Sequence, residues 1–213
     1  RPMHNSHVRL DPPPPGAAVA EADILLVVTG AGFSADSGLA VYNDIAKIKP
    51  YAARGLDYQD LCQPHHLDKE PALFHGFWGA CFNDYRKTQP HRGYEIIARW
   101  RDRVNESKAA GEIRKTAMSM RSRIRTAAGT FQEREVDEVL AGMEPAGAFF
   151  LFTSNVDAHS FDHFKSNELR EVHGNIETWQ CAQSQDCTAG GREKLWRIPV
   201  GYSFNVDKRT MLA

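Results

Sequence analysis

The residues best suited to chemistry fall in three short stretches of the chain. The first, TGAGFSADSG from Thr29 to Gly38, mixes glycines with Ser34, Asp36 and Ser37. Gly30 and Gly32 permit positive φ and close backbone approach, and the hydroxyl and carboxylate groups can cap a following helix, so that backbone N–H groups would face an anion. The second, FFLFTSNVDAH from Phe149 to His159, presents Thr153, Ser154, Asn155 and Asp157, side chains able to make directed hydrogen bonds to a ligand. The third, EVHGN, sets His173 between Val172 and Gly174. An imidazole with an ordinary pKa of about 6.5 can accept a proton at neutral pH, although a lone histidine is more often structural.

These residues need elements to hold them. ILLVV, Ile24 to Val28, is an unbroken apolar and β-branched run, which predicts a strand buried on both faces of a parallel sheet. Strand, glycine turn and helix start together have the physics of a dinucleotide site. The pattern departs from G-x-G-x-x-G, since Ala35 stands at the third glycine's position and Gly38 falls later, and a tight turn without a ligand would use the same residues. FFLFT predicts a second buried strand, with its polar set at the carboxyl end, where open α/β sheets place ligand groups. The expected fold class is α/β: a Rossmann-like parallel sheet with helices on both faces.

Between the first and second strands, Phe74, Phe77, Trp78, Phe82 and Tyr85 recur at helical spacing and read as core. Pro90 interrupts the pattern, and HRGYEIIARW then starts a helix with Ile96, Ile97 and Trp100 on its buried face and His91 in a structural role. From about 101 to 147 a basic stretch is followed by an acidic one, which reads as a solvated helical hairpin. The N-terminal residues 1–22 include four successive prolines, Pro12 to Pro15, which forbid helix and favour an extended flexible segment.

Composition narrows the function classes. The chain of 213 residues carries 26 Lys and Arg against 27 Asp and Glu, so no global field draws it to nucleic acid or to a membrane surface. No apolar run approaches the roughly 20 residues that span a bilayer, and an intracellular protein is expected. Its four cysteines, Cys62, Cys81, Cys181 and Cys187, are too few and too unevenly placed for a secreted disulfide framework.

Taken in order, TGAGFSADSG with the following Tyr42-Asn43-Asp44, PHRGYEII, TSNVD, VHG and a downstream cysteine pair resemble the sirtuins, the NAD-dependent protein lysine deacylases. The resemblance runs from about Asp23 to the end of the chain, interrupted by the charged insertion. It implies that Gly30, Ala31, Gly32, Ser34 and Gly38 wrap the NAD phosphates and the nicotinamide ribose, with Tyr42 as the aromatic that covers the nicotinamide. It further implies that Ser154, Asn155 and Asp157 line the nicotinamide and ribose pocket, and that Asn155 and His173 are the catalytic residues, His173 as general base. The implied partners are NAD and an acylated lysine of a protein substrate, and the implied product is acylated ADP-ribose with nicotinamide released.

Three positions depart from the family pattern. Asn43 stands where an arginine is usual, Ser154 where glutamine is common, and Asp157-Ala158-His159 where a glycine would follow the aspartate. Loss of the planar cation at Asn43 bears on acyl-lysine chemistry more than on NAD binding. An NAD glycohydrolase, an ADP-ribosyltransferase and a non-catalytic NAD-binding or interaction module therefore stay open. The family also carries a small structural zinc module with two cysteine pairs. Cys181 and Cys187 read either as two free thiols or as half of such a site, and two ligands cannot fill a tetrahedral zinc site. The expected organisation is residues 1–22 as a proline-rich segment, 23–175 as the NAD-binding domain and 176–213 as a partial zinc-binding lobe. The expectation is of a C-terminally truncated sirtuin-like enzyme, with weak NAD affinity and little catalysis if the chain is intact as given.

Overall fold

The computed structural model describes residues 14–41, 44, 47–116, 147–181 and 195–213. Tyr42, Cys187, the first two prolines of the run and most of the charged insertion lie outside the described residues. In chain order the elements are α1 (Pro15–Glu21), β1 (Leu25–Thr29), α2 (Ala31–Ala35), α3 (Lys49–Ala52), α4 (Tyr58–Leu61), α5 (His66–Lys69), α6 (Pro71–Lys87) and α7 (Arg92–Asn105). They are followed by β2 (Phe149–Thr153), a 3-10 turn over His159–Asp162, β3 (Leu169–Glu171), β4 (Thr178–Trp179) and β5 (Trp196–Arg197). The chain divides into two compact units, Arg1–Leu25 with Arg99–Phe149, and Leu26–Ala98 with Phe150–Ala213.

In the first unit the proline run does not exclude a helix. Pro14 is extended at ψ 142° and Pro15 takes the first position of α1, where its missing N–H would have had no partner in any case. The Arg103 guanidinium donates to the Val19 and Ala22 carbonyls, tying the end of α1 to the end of α7. Asn105 Oδ1 accepts from the Ala148 N–H at 2.8 Å, which fixes the chain as it enters β2.

The second unit holds β3 and all but the first residue of β1 and of β2, and the strands are ordered β1-β2-β3. β2 and β3 are parallel, with Leu151 opposite Leu169 and Thr153 opposite Glu171. The bonds that flank β1 and β2, Leu25 N–H to the Ala148 carbonyl at 2.8 Å and Ser154 N–H to the Thr29 carbonyl at 3.2 Å, advance together along both strands, so this pair is parallel too. The architecture is α/β and Rossmann-like. β1, however, is not buried on both faces. Leu26 and Val28 are 62% and 67% exposed while Leu25, Val27 and Thr29 are half-buried, the alternation of a strand covered on one face. Its apolar run encodes a strand and leaves open how many layers cover it.

α6 supplies the main core, as its aromatic spacing predicts. Leu73, Phe77 and Cys81 pack with Tyr51 of α3 and Leu61 of α4, and Phe82 is fully buried. Burial is the first cause that pushes the Cys81 thiol up to about 12, so it behaves as an apolar filler. On α7 the buried positions are Tyr94, Ile97 and Val104, whereas Trp100 is 37% exposed. The stripe therefore follows Tyr94 at i, i+3 and i+10 and is offset from the one expected through Trp100. The C-terminal segment lies along α6: a Cβ at Gly79 would stand 2.6 Å from the Phe204 side chain, and one at Gly76 would collide with the Met211 backbone. No helix among the described residues is long and apolar enough to cross a membrane.

Candidate active site

Three parallel strands bring their carboxyl ends to one edge, and the three stretches that carry chemistry start there. Gly30 follows β1 and is the N-cap of α2, with φ −148° and ψ −169°, an extended conformation open to any residue. Its lack of a side chain serves close approach instead, since a Cβ there would lie 3.3 Å from Ser154 Oγ. Gly32 lies inside α2, and a Cβ on it would meet nothing within 4 Å. Of the three glycines in this turn, Gly38, at φ +90°, is the one that needs glycine for its backbone.

Ser34 was expected to cap a helix. It sits within α2 instead, 6% exposed, and joins the glycine turn to the end of β2. Its Oγ accepts from Asn155 Nδ2 at 2.7 Å and donates to Asp157 Oδ2. Asp157 Oδ1 accepts from the His159 N–H at 3.0 Å, so both carboxylate oxygens are engaged. Asn155 and Asp157 are each 7% exposed. With Asn155 Nδ2 aimed at Ser34, the amide's orientation is set and its oxygen faces away from that bond. Ser154 is half-buried and hydrogen-bonds through its backbone to Thr29.

Tyr94 was not anticipated in this network. It is 1% exposed, and its hydroxyl has no well-aligned hydrogen-bond partner although it lies beside Ser34. Burial first, then the charge of Asp157, raises its pKa, so it remains a protonated donor. Phe33 and His91 pack against its ring at 4.7 and 5.2 Å. His91 is structural, as expected: its Nδ1 accepts from the Gly93 N–H at 3.0 Å and its own N–H donates to Ser37 Oγ at 3.0 Å.

Asp157 is followed by Ala158 in the left-handed region, φ 65° and ψ 1°. This turn lets the aspartate accept from the N–H two residues on, and it costs an alanine about 1–2 kcal/mol. Ala158→Gly removes that strain while raising the unfolded chain's entropy, and is expected to stabilise the protein by about 0.5–1 kcal/mol. Urea unfolding of the two proteins measures it, and a variant less stable than the parent, with only the entropy cost of glycine left, would mean that the turn is unstrained.

His173 is exposed, in a turn just past β3. The chain on both sides of it is stapled to the end of β2, by Val172 N–H to the Thr153 carbonyl at 3.0 Å and Ile176 N–H to the Val156 carbonyl at 2.9 Å. The turn thus lies over the strand end that carries Asn155 and Asp157. Burial first, with the charge of Asp157 adding to it, raises the Glu171 carboxyl above the usual range. A carboxylate whose folded pKa is raised costs stability once it ionises, and costs nothing below its unfolded pKa. Glu171→Gln should therefore unfold at higher temperature than the parent at pH 7, with the gap closing as the pH falls below about 4. Melting curves across that range check the sign, and a parent more stable than the variant at pH 7 would refute it.

A cavity of about 270 Å³ opens beside Asp157, bordered by Tyr85, His159, Asn175, Glu177 and Arg197. Tyr42 and Cys187 cannot be added to this picture, since both lie outside the described residues. Cys181, two residues past β4, is a half-buried free thiol.

No family model matches the chain. It is 31% identical over 87 residues to the NAD-dependent protein deacylase of Deinococcus radiodurans, covering 38% of this chain and 32% of that protein. It is 32% identical over 78 residues to the NAD-dependent protein deacylase of Bacteroides thetaiotaomicron, covering 35% and 30%. The matched stretch thus spans about a third of the length of each of these curated relatives. A crystal structure of a Sir2 homolog–NAD complex aligns over 85% of this chain and 49% of that one, with a TM-score of 0.49 and 17% identity. The ordered motifs and the two deacylase matches agree, and the chain is sirtuin-like.

Proposed function

We propose that this chain carries the nicotinamide and ribose side of an NAD-dependent protein lysine deacylase, acting on acylated lysines of proteins. The observation that carries this reading is the bridge through Ser34, which ties the glycine turn after β1 to Asn155 and Asp157 after β2. A strand-end crevice with polar groups held in fixed directions is what a ribose and a carboxamide need. The residues present fit NAD: Gly32 leaves open space beside the backbone of the turn, and Asn155, bonded to Ser34 through its nitrogen, turns its amide oxygen away from that bond as an acceptor. When bound, NAD supplies an electrophilic ribose carbon as nicotinamide leaves. The roles of the protein follow from its groups. Asn155 and Asp157 orient the ribose and the leaving group, and the His173 imidazole accepts a proton from a ribose hydroxyl so that the acyl group can move to it.

Zinc is a different case. Among the described residues no group of three or more His, Cys, Asp or Glu side chains could hold a metal ion. Cys181 alone does not meet the four-ligand requirement of a structural site, and no step here runs through zinc.

The test is nicotinamide release from NAD by the purified chain, with and without an acetyl-lysine peptide. Release that depends on the peptide supports the deacylase reading. Release without peptide would replace it with NAD hydrolysis, and no release under either condition would remove catalysis from this chain.

A further inference from the structure

His173 has no rigid element of its own. It occupies a four-residue turn from Glu171 to Gly174, closed by a single backbone bond of 3.2 Å, with Gly174 in the left-handed region at φ 69°. Such a turn, with its side chain in solvent, would let the imidazole wander by more than the roughly 1 Å that catalysis tolerates. A second closure spans it. Asn175 Nδ2 donates to Glu171 Oε2 at 2.5 Å, and Asn175 Oδ1 accepts from the Glu177 N–H at 3.1 Å. The amide is therefore held at both ends, by a carboxylate at the end of β3 and by the backbone that leads into β4.

We propose that Glu171 and Asn175 form a bracket that positions His173 for proton transfer. This rests on the deacylase reading above. Neither residue needs to touch the substrate. The bracket fixes the two ends of the turn, and the backbone staples at Thr153 and Val156 fix the bracket against the strand end that carries Asn155. The requirement on position 171 is a hydrogen-bond acceptor of glutamate length. Charge is not required, so glutamine should serve and alanine should not. At position 175 the need is for a donor and an acceptor on one planar group, which alanine removes entirely.

The experiment compares Glu171→Gln, Glu171→Ala and Asn175→Ala with the parent, measuring nicotinamide release at saturating NAD and peptide, NAD affinity by calorimetry, and the 1H–13C signals of the His173 ring. The expected result is that Glu171→Ala and Asn175→Ala lose about 10- to 100-fold in turnover while the NAD Kd stays within about two-fold, and that Glu171→Gln retains most of the rate. A structural defect alone would lower affinity and turnover together and would not be rescued by glutamine. Equal losses in Glu171→Gln and Glu171→Ala, or no loss in Asn175→Ala, would overturn the bracket. If the parent itself releases no nicotinamide, the deacylase reading fails separately, and the ring signals still decide. In Asn175→Ala they should sharpen and move toward those of a freely rotating histidine, whereas in Glu171→Gln they should stay. Identical ring signals in all four proteins would refute the proposal.

Discussion

Replacing His173 with alanine is expected to lower peptide-dependent nicotinamide release by about 10²- to 10⁴-fold, the range that a single proton-transferring side chain contributes. Thermal stability should change little, because His173 is exposed in its turn and substitutions at such sites fall within about 0.5 kcal/mol. NAD affinity should also hold, since the Ser34, Asn155 and Asp157 network is untouched. Asn155→Ala provides the contrast. Asn155 is 7% exposed and its amide is bonded to Ser34 at 2.7 Å, so its removal leaves a buried hydroxyl short of a partner and costs about 1–3 kcal/mol. Affinity and stability should then fall with activity. Calorimetry, melting curves and nicotinamide assays on the two variants separate a residue that moves a proton from one that holds a ligand. A His173→Ala protein with the parent's rate would remove the histidine from the mechanism.

The largest stability effect is expected at Arg86. Its guanidinium forms a fork with Glu177, Nε to Oε1 at 2.8 Å and Nη2 to Oε2 at 2.7 Å. It also donates to the Pro199, Tyr202 and Ile198 carbonyls at 2.9, 3.0 and 3.1 Å. The cation lies 4.2 Å from the centre of the Phe82 ring, which is itself fully buried. One side chain near the end of α6 thus closes the carbonyls of a segment with little secondary structure of its own. Arg86→Ala should cost about 2–4 kcal/mol, below the loss for a fully buried pair because both side chains remain 23% exposed. Lysine should recover less than half, since an ammonium cannot match a carboxylate fork and three carbonyls at once. Urea unfolding gives the total, and amide exchange over residues 196–205 shows where the protection is lost. A change under 1 kcal/mol would mean that Phe204, seated on Gly79, holds the segment without the arginine.

The sequence alone determined the α/β class, the two strands that carry the candidate site, the polar set at the end of the second, and the core role of the α6 aromatics. Each of these rests on local pattern. An apolar run encodes a strand, helical spacing encodes a buried stripe, and the residues that follow a strand fix which polar groups stand at its end. The ordered motifs also carried the sirtuin resemblance, because order along the chain is itself a local reading.

Tertiary structure decided what local pattern cannot reach. Ser34 reads as a helix cap because serine before a helix usually is one, yet its partners, Asn155 and Asp157, lie more than a hundred residues away and only strand pairing brings them to it. The one-sided burial of β1 depends on what packs against it, which a run of five apolar residues does not specify. Arg86 and Glu177 look like two more surface charges until the C-terminal segment folds back along α6. His173 was legible from its motif, but the bond from Asn175 to Glu171 that spans its turn was not, since a glycine in the left-handed region must first reverse the chain before the two side chains can meet. Sequence spacing records which groups are present, and the long-range pairing of strands and turns sets which of them can reach one another.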